Sequence, residues 1–195
     1  MNKNRLEAFS DGVLAIIITI MVLELRVPEG SDLKALLNLF PIFVSYILSF
    51  IYVGIYWNNH HHMMHTVKKV TGGILWANLH LLFWLSLIPF ATAWIGEHHF
   101  APFPMLFYGF VLLMCGIAYV ILQNLIIKTQ GENSILSKAI GNDFKGKVSP
   151  VLYLIAIFST YYHEAVSGII YSLVALMWLI PDKRIEKIFK AEKED

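Results

Sequence analysis

Cysteine occurs once in the 195 residues, as Cys115 within an apolar run. An internal disulfide framework and a thiolate metal cluster within one chain are therefore both excluded, and the redox compartment stays open. Charge is scarce as well. Asp, Glu, Lys and Arg supply 15% of the chain against 57% apolar residues, and the mean hydropathy is +0.61, whereas soluble domains carry about 25% charged residues. The formal net charge is only +1, and no basic block lies away from the flanks of the apolar stretches, so a nucleic-acid partner has no electrostatic footprint. No nucleophile elbow, glycine-rich phosphate loop or suitably placed carboxylate pair occurs, which leaves enzyme chemistry without support.

What the sequence has in abundance is uninterrupted apolar chain. Residues 35–67, 70–96 and 98–127 contain no Asp, Glu, Lys or Arg, and each stretch exceeds the roughly 20 residues that a helix needs to cross hydrocarbon. The pattern predicts an all-α polytopic membrane protein with helices near 6–26, 37–64, 71–95, 103–128, 148–163 and 165–181. The last two meet near His163 and Glu164; about 16 residues rising 1.5 Å each just cover the hydrocarbon, which predicts a tight hairpin in a locally thinned bilayer. Pro41 and Pro89 are expected to kink their helices. The first apolar segment contains Asp11 and lacks a small-residue cleavage site, so it is expected to remain in the mature protein.

Basic residues are retained on the cytoplasmic side. With both termini inside, thirteen of the fifteen lysines and arginines lie inside, and only Arg26 and Lys34 lie outside. That bias fits six crossings. No internal repeat suggests two fused copies. The chain reads as one transmembrane domain, 1–181, followed by a charged cytoplasmic tail, 182–195, with 129–147 as the one long polar loop.

The first helix carries the richest local signal, because Arg5, Glu7 and Asp11 at a membrane surface require partners or water. At 100° per residue, Phe9, Gly12, Ile16, Ile20 and Leu23 fall within about 40° of one line, Thr19 flanks them, and Asp11 points roughly the other way. One face is suited to line something and the other to lock onto neighbouring helices. Periodicity alone fits lipid or core equally well.

Arg5, Phe9, Ser10 and Asp11 form the pattern R-x-x-x-F-S-D, followed by Gly-Val-Leu-Ala-Ile-Ile-Ile-Thr-Ile-Met-Val-Leu-Glu-Leu. This resembles the first helix of the lysosomal potassium channel family called transmembrane protein 175, in its prokaryotic single-repeat form. Further similarity lies in Trp57 with the His/Asn-rich end of the second helix, and in Trp76, Asn78, His80, Ser86, Pro89 and Phe90 of the third. The resemblance implies a homotetramer in a lipid bilayer, the prokaryotic plasma membrane, with six helices per subunit and one potassium-permeable pore lined by first helices. It implies a hydrophobic constriction at Ile16, Ile20 and Leu23, a hydroxyl for cation discrimination at Thr19, and no cofactor beyond permeant potassium ions. It further implies a supporting network of Arg5, Phe9, Ser10 and Asp11 with Trp76, Asn78 and His80, and with Trp57 or a nearby histidine.

Physical reasoning agrees with such an assembly, since a ring of identical helices builds a pore from one stripe. Rings of Ile and Leu gate by dewetting, and no Thr-x-Gly-Tyr-Gly segment is present to form a carbonyl cage, Thr71-Gly72-Gly73 being the nearest sequence. Glu24, with Glu29 and Asp32 beyond it, either concentrates cations at an outer mouth or is an ordinary solvated flank.

Eight histidines invite comparison with multi-histidine metal enzymes. On the expected topology His60, His61, His62 and His65 lie at the inner end of the second helix, His98, His99 and His163 lie outside, and His80 lies within the bilayer. Ligands must converge to about 2 Å from one ion, which this spread forbids. The inner group is expected to be a wet, proton-sensitive cluster, with a metal between subunits as its alternative. Two further functions stay open: a secondary transporter in which Asp11 or His80 carries a coupled proton, and a membrane scaffold without flux.

Overall fold

The computed structural model describes residues 2–131, 134–140 and 143–179; the expected tail, 182–195, lies outside the described residues. Within them every regular element is a helix: α1 (Lys3–Leu23), α2 (Leu33–Leu37), α3 (Phe40–His65), α4 (Gly72–Ser86), α5 (Ile88–Glu97), α6 (Pro102–Gln130), α7 (Ile135–Ile140), α8 (Phe144–Ser159) and α9 (Glu164–Leu179). Four stretches are long and apolar enough to cross a membrane: α1, α3, α4 with α5, and α6. The hairpin of α8 and α9 has 16 residues in each arm.

Start signals in the sequence explain most of these boundaries. Asn2, Asp32, Thr71 and Asp143 each cap a helix by accepting a hydrogen bond from a backbone N–H two or three residues on. Helix α6 ends at Gly131, whose φ of 94° lies in the region that only glycine enters freely.

Three expectations need correction. Pro41 does not kink the second span; it sits in the first turn of α3, where its missing N–H costs nothing. The third span is interrupted beside Pro89 as expected, but by a full break at Leu87 into two helices rather than a kink within one, with Pro89 in the first turn of α5. The segment read as a polar loop, 129–147, contains α7 and the first turn of α8, because Asp143 starts α8 four residues earlier than periodicity indicated. Pro150 thus falls inside α8.

The core runs through the middle of the bundle, where α6 packs against α4 and α8, and α3 against α5. Polar groups within it are paired. Ser49 lies 3.0 Å from the Tyr108 hydroxyl and 2.7 Å from that of Thr92, while Tyr52 donates to the Tyr171 carbonyl at 2.7 Å. Close approach is made possible by small residues. The Tyr171 hydroxyl occupies the place a Cβ would take at Gly109, and donates to the Met105 carbonyl at 3.1 Å.

Contacts also segregate the two ends of the bundle. At one end Lys3 donates to the His65 carbonyl at 2.9 Å, and Gln130 bonds the backbone of Lys68 and Lys69. At the other, Arg26 pairs with Glu97 at 2.6 Å.

Candidate functional site: the two faces of α1

Helix α1 is held by a single stripe. Leu6, Ser10, Leu14, Ile17 and Met21 are buried against α3, α4 and α5, a spacing of three and four residues that keeps them on one side. At the stripe's polar position, Ser10 donates to the Leu6 carbonyl at 2.9 Å and accepts from Asn78 at 3.0 Å. The other end of the Asn78 amide lies 2.7 Å from His60 Nε2. All three side chains are buried. One buried chain, Ser10–Asn78–His60, therefore ties α1, α4 and α3 together, and leaving any member unpaired would cost desolvation without compensation.

Asp11, one residue on, turns to an exposed flank, where it accepts from the Trp57 indole at 3.1 Å. Trp57 in turn stacks on His61, and His61 on His65. The remaining network residues are arranged differently from the expectation. Trp76 is 75% exposed, and His80 accepts from Trp84 of its own helix at 2.9 Å; within one subunit neither joins Ser10 or Asp11. Arg5 is exposed, and no ion pair involves it among the described residues. The histidine group is also not uniformly wet. His60 is only 3% exposed and belongs to the buried chain, while His61 and His65 are exposed. The sequence left open which histidine near Trp57 joins the network; His60, six residues before the Thr66 end of α3, is brought level with Asn78 by the turn between α3 and α4.

The pore residues implied by the resemblance lie on the face that the subunit leaves uncovered. Ile16, Ile20 and Leu23 are 58%, 41% and 79% exposed. Phe9, Gly12 and Thr19 are exposed with them, and the Thr19 hydroxyl donates to the Ile16 carbonyl at 2.8 Å. Its lone pairs remain outward-facing, since the intrahelical bond uses the proton. Glu24 follows directly on α1 and is exposed, at the end where Arg26 meets Glu97. No group of three His, Cys, Asp or Glu side chains is placed to hold a metal ion among the described residues.

A potassium channel from Chryseobacterium sp. (strain P1-3) is 62% identical to this chain over 97% of its length and 99% of the relative's. The chain belongs to the TMEM175 family. A family profile described as endosomal/lysosomal potassium channel TMEM175 matches residues 5–89, which span α1 through the start of α5. The crystal structure described as a lysosomal potassium-selective channel TMEM175 homolog from Chamaesiphon minutus superposes with a TM-score of 0.80 at 27% identity, covering 92% of this chain and 97% of that one. The human protein described as endosomal/lysosomal proton channel TMEM175 is 35% identical over 47% of this chain and 20% of its own length. The TMEM175 family is one of ion channels, not of enzymes, and its member here is an all-α, multi-pass membrane protein.

Proposed function

We propose that four copies of this chain surround a single potassium-permeable pathway in the bacterial plasma membrane, lined by the exposed face of α1. The observation that carries this reading is the division of α1 into two faces. Packing within the subunit consumes Leu6, Ser10, Leu14, Ile17 and Met21, and leaves the aliphatic edge Ile16, Ile20 and Leu23 uncovered. A relative sharing 62% identity over nearly the whole chain is described as a potassium channel, which supports the choice of ion.

In a fourfold ring, Ile16, Ile20 and Leu23 form stacked apolar collars that wet and dry with small changes in radius. Thr19, one turn from Ile16 on the same side, offers hydroxyl oxygens that replace part of a cation's hydration shell. Selectivity of potassium over sodium is moderate, because hydroxyl rings lack the fixed cage of a carbonyl filter. Ser10, Asp11 and Asn78, with His60 and Trp57, hold α1 at its angle from behind. Glu24 contributes a ring of carboxylates at the outer mouth, raising the local cation concentration. Both termini lie inside, at the end marked by Lys3, Lys68 and Lys69, with the α8–α9 hairpin completing six crossings.

Purified protein in liposomes tests this directly. Passive potassium flux that follows the electrochemical gradient, exceeds sodium flux and requires no proton movement is expected. Obligatory proton coupling would establish a secondary transporter instead, and no flux at all a scaffold. Proton permeation is measured in the same vesicles, since the vertebrate relatives are described as proton channels.

A further inference from the structure

A partly open cleft lies between α3, α6, α8 and the end of α9, and α1 lines no part of it. Its walls are aromatic: Tyr52 and Tyr56 from α3, Tyr119 from α6, Tyr153 from α8 and Trp178 from α9. Asp143 is the one charged side chain among the described residues that line it. The carboxylate is fixed in place, accepting from the Gly146 N–H at 3.1 Å through Oδ1 and from the Gln123 amide at 3.3 Å through Oδ2. Trp178 is fixed as well, its indole N–H donating to Ser149 at 2.8 Å.

Several tyrosine and tryptophan rings with one carboxylate make a combination that attracts an organic cation, because ring faces carry negative potential and the carboxylate supplies the net charge. The chain itself already uses this affinity. The Lys145 ammonium sits 5.8 Å from the Trp178 ring centroid, within the range at which a cation feels the ring. A phosphate or carboxylate headgroup is disfavoured, since the charged side chain among the described lining residues is the Asp143 carboxylate and Lys145 stands only behind the Trp178 wall. A metal ion is disfavoured too, with one carboxylate where several ligands are needed. Gly116 of α6 also lines the space, and an added Cβ there would be in ordinary contact, at 3.9 Å, with the Tyr153 ring and the Tyr56 hydroxyl, so any larger side chain at 116 narrows it.

We propose that this cavity is a binding site for a small organic ammonium, its positive head held by Asp143 and the aromatic walls and its apolar body lying along α6 at Gly116. The site stands apart from the pore-lining face and does not depend on the reading of α1.

Choline and its uncharged isostere 3,3-dimethyl-1-butanol are the probes, titrated into the purified full chain and followed by calorimetry and by the melting temperature. Choline is expected to bind and raise the melting temperature, with the neutral isostere at least tenfold weaker. Asp143→Asn, which keeps the helix cap while removing the charge, should weaken choline about tenfold, and Gly116→Leu, which fills the cavity, should abolish binding. Gly116→Ala, which the spacing tolerates, should weaken it and covers the case in which the leucine variant fails to fold. Equal binding of the two probes would assign the cavity to apolar chains such as lipid or detergent and overturn the proposal. Choline affinity unchanged in Asp143→Asn and Gly116→Ala, or no choline binding at millimolar concentration, would overturn it as well.

Discussion

At Ile16 the uncovered edge of α1 presents a branched aliphatic side chain that its own subunit leaves 58% exposed. If that edge forms the throat of the pathway, Ile16→Asn lowers the cost of wetting and should raise potassium current at least about twofold while reducing the potassium-to-sodium ratio. Thr19→Val removes a hydroxyl but keeps shape, so it should reduce potassium preference more than total current; ion-substitution recordings distinguish the two. Behind α1 the demands are different. Asn78→Leu would strip His60 and Ser10 of their shared partner in the interior, with an expected loss of about 1–3 kcal/mol in denaturant unfolding of the purified protein. The Trp57→Phe change touches only the exposed bond to Asp11 and should cost less. Much of this was legible beforehand: the motif identified Ser10, Asp11 and Asn78, and the helical wheel separated Asp11 from the Ile16 edge. Trp76 and His80 were grouped with them on the strength of the family resemblance, whereas two residues from Asn78 a helix turns side chains about 200° away.

Among the elements, the crossing of α3 and α5 is set by Gly96, where a Cβ would come within 2.7 Å of Ser45 Oγ and 2.8 Å of the Ile42 Cα. Gly96→Ala must therefore push two helices apart and should destabilise by about 1–3 kcal/mol. At Gly54, inside α3, a Cβ meets nothing within 4 Å, so Gly54→Ala should instead stabilise by up to about 1 kcal/mol through helix propensity. Thermal unfolding of the two variants side by side gives opposite signs if the packing is as described. The ion pair of Arg26 and Glu97 links the C-terminal end of α1 to that of α5, but both side chains are substantially exposed, and such pairs contribute about 0–1 kcal/mol. Helix existence was readable from hydropathy and capping residues. Hydropathy is blind to the break at Leu87, because α4 and α5 form one continuous apolar run, and there it was Pro89 that announced it.

At the level of the whole molecule, apolar side chains are exposed on several helices, as a bilayer allows, and the proposed assembly covers one of these faces, the Ile16, Ile20 and Leu23 edge of α1, with further copies. Native mass spectrometry should find four chains per particle. An introduced cysteine gives a second measurement, since Cys115 is fully buried and escapes water-soluble thiol reagents. Ile16→Cys should be modified by a methanethiosulfonate cation with loss of potassium flux, whereas Val151→Cys, on an exposed outer face of α8, should leave flux unchanged. Modification at Ile16 without loss of flux would place that edge outside the ion path.

Hydropathy, the lysine and arginine bias and the R-x-x-x-F-S-D motif by themselves determined that this chain is helical, membrane-embedded and related to a family of ion channels, because each depends on local composition or on spacing along a single helix. Tertiary structure decided which face of α1 is taken up by its neighbours, that His60 rather than His80 completes the chain from Ser10, and that α3, α6, α8 and α9 enclose an aromatic cavity around Asp143. Those outcomes depend on how distant helices rotate and approach one another, and such angles and distances are fixed by packing among residues tens of positions apart.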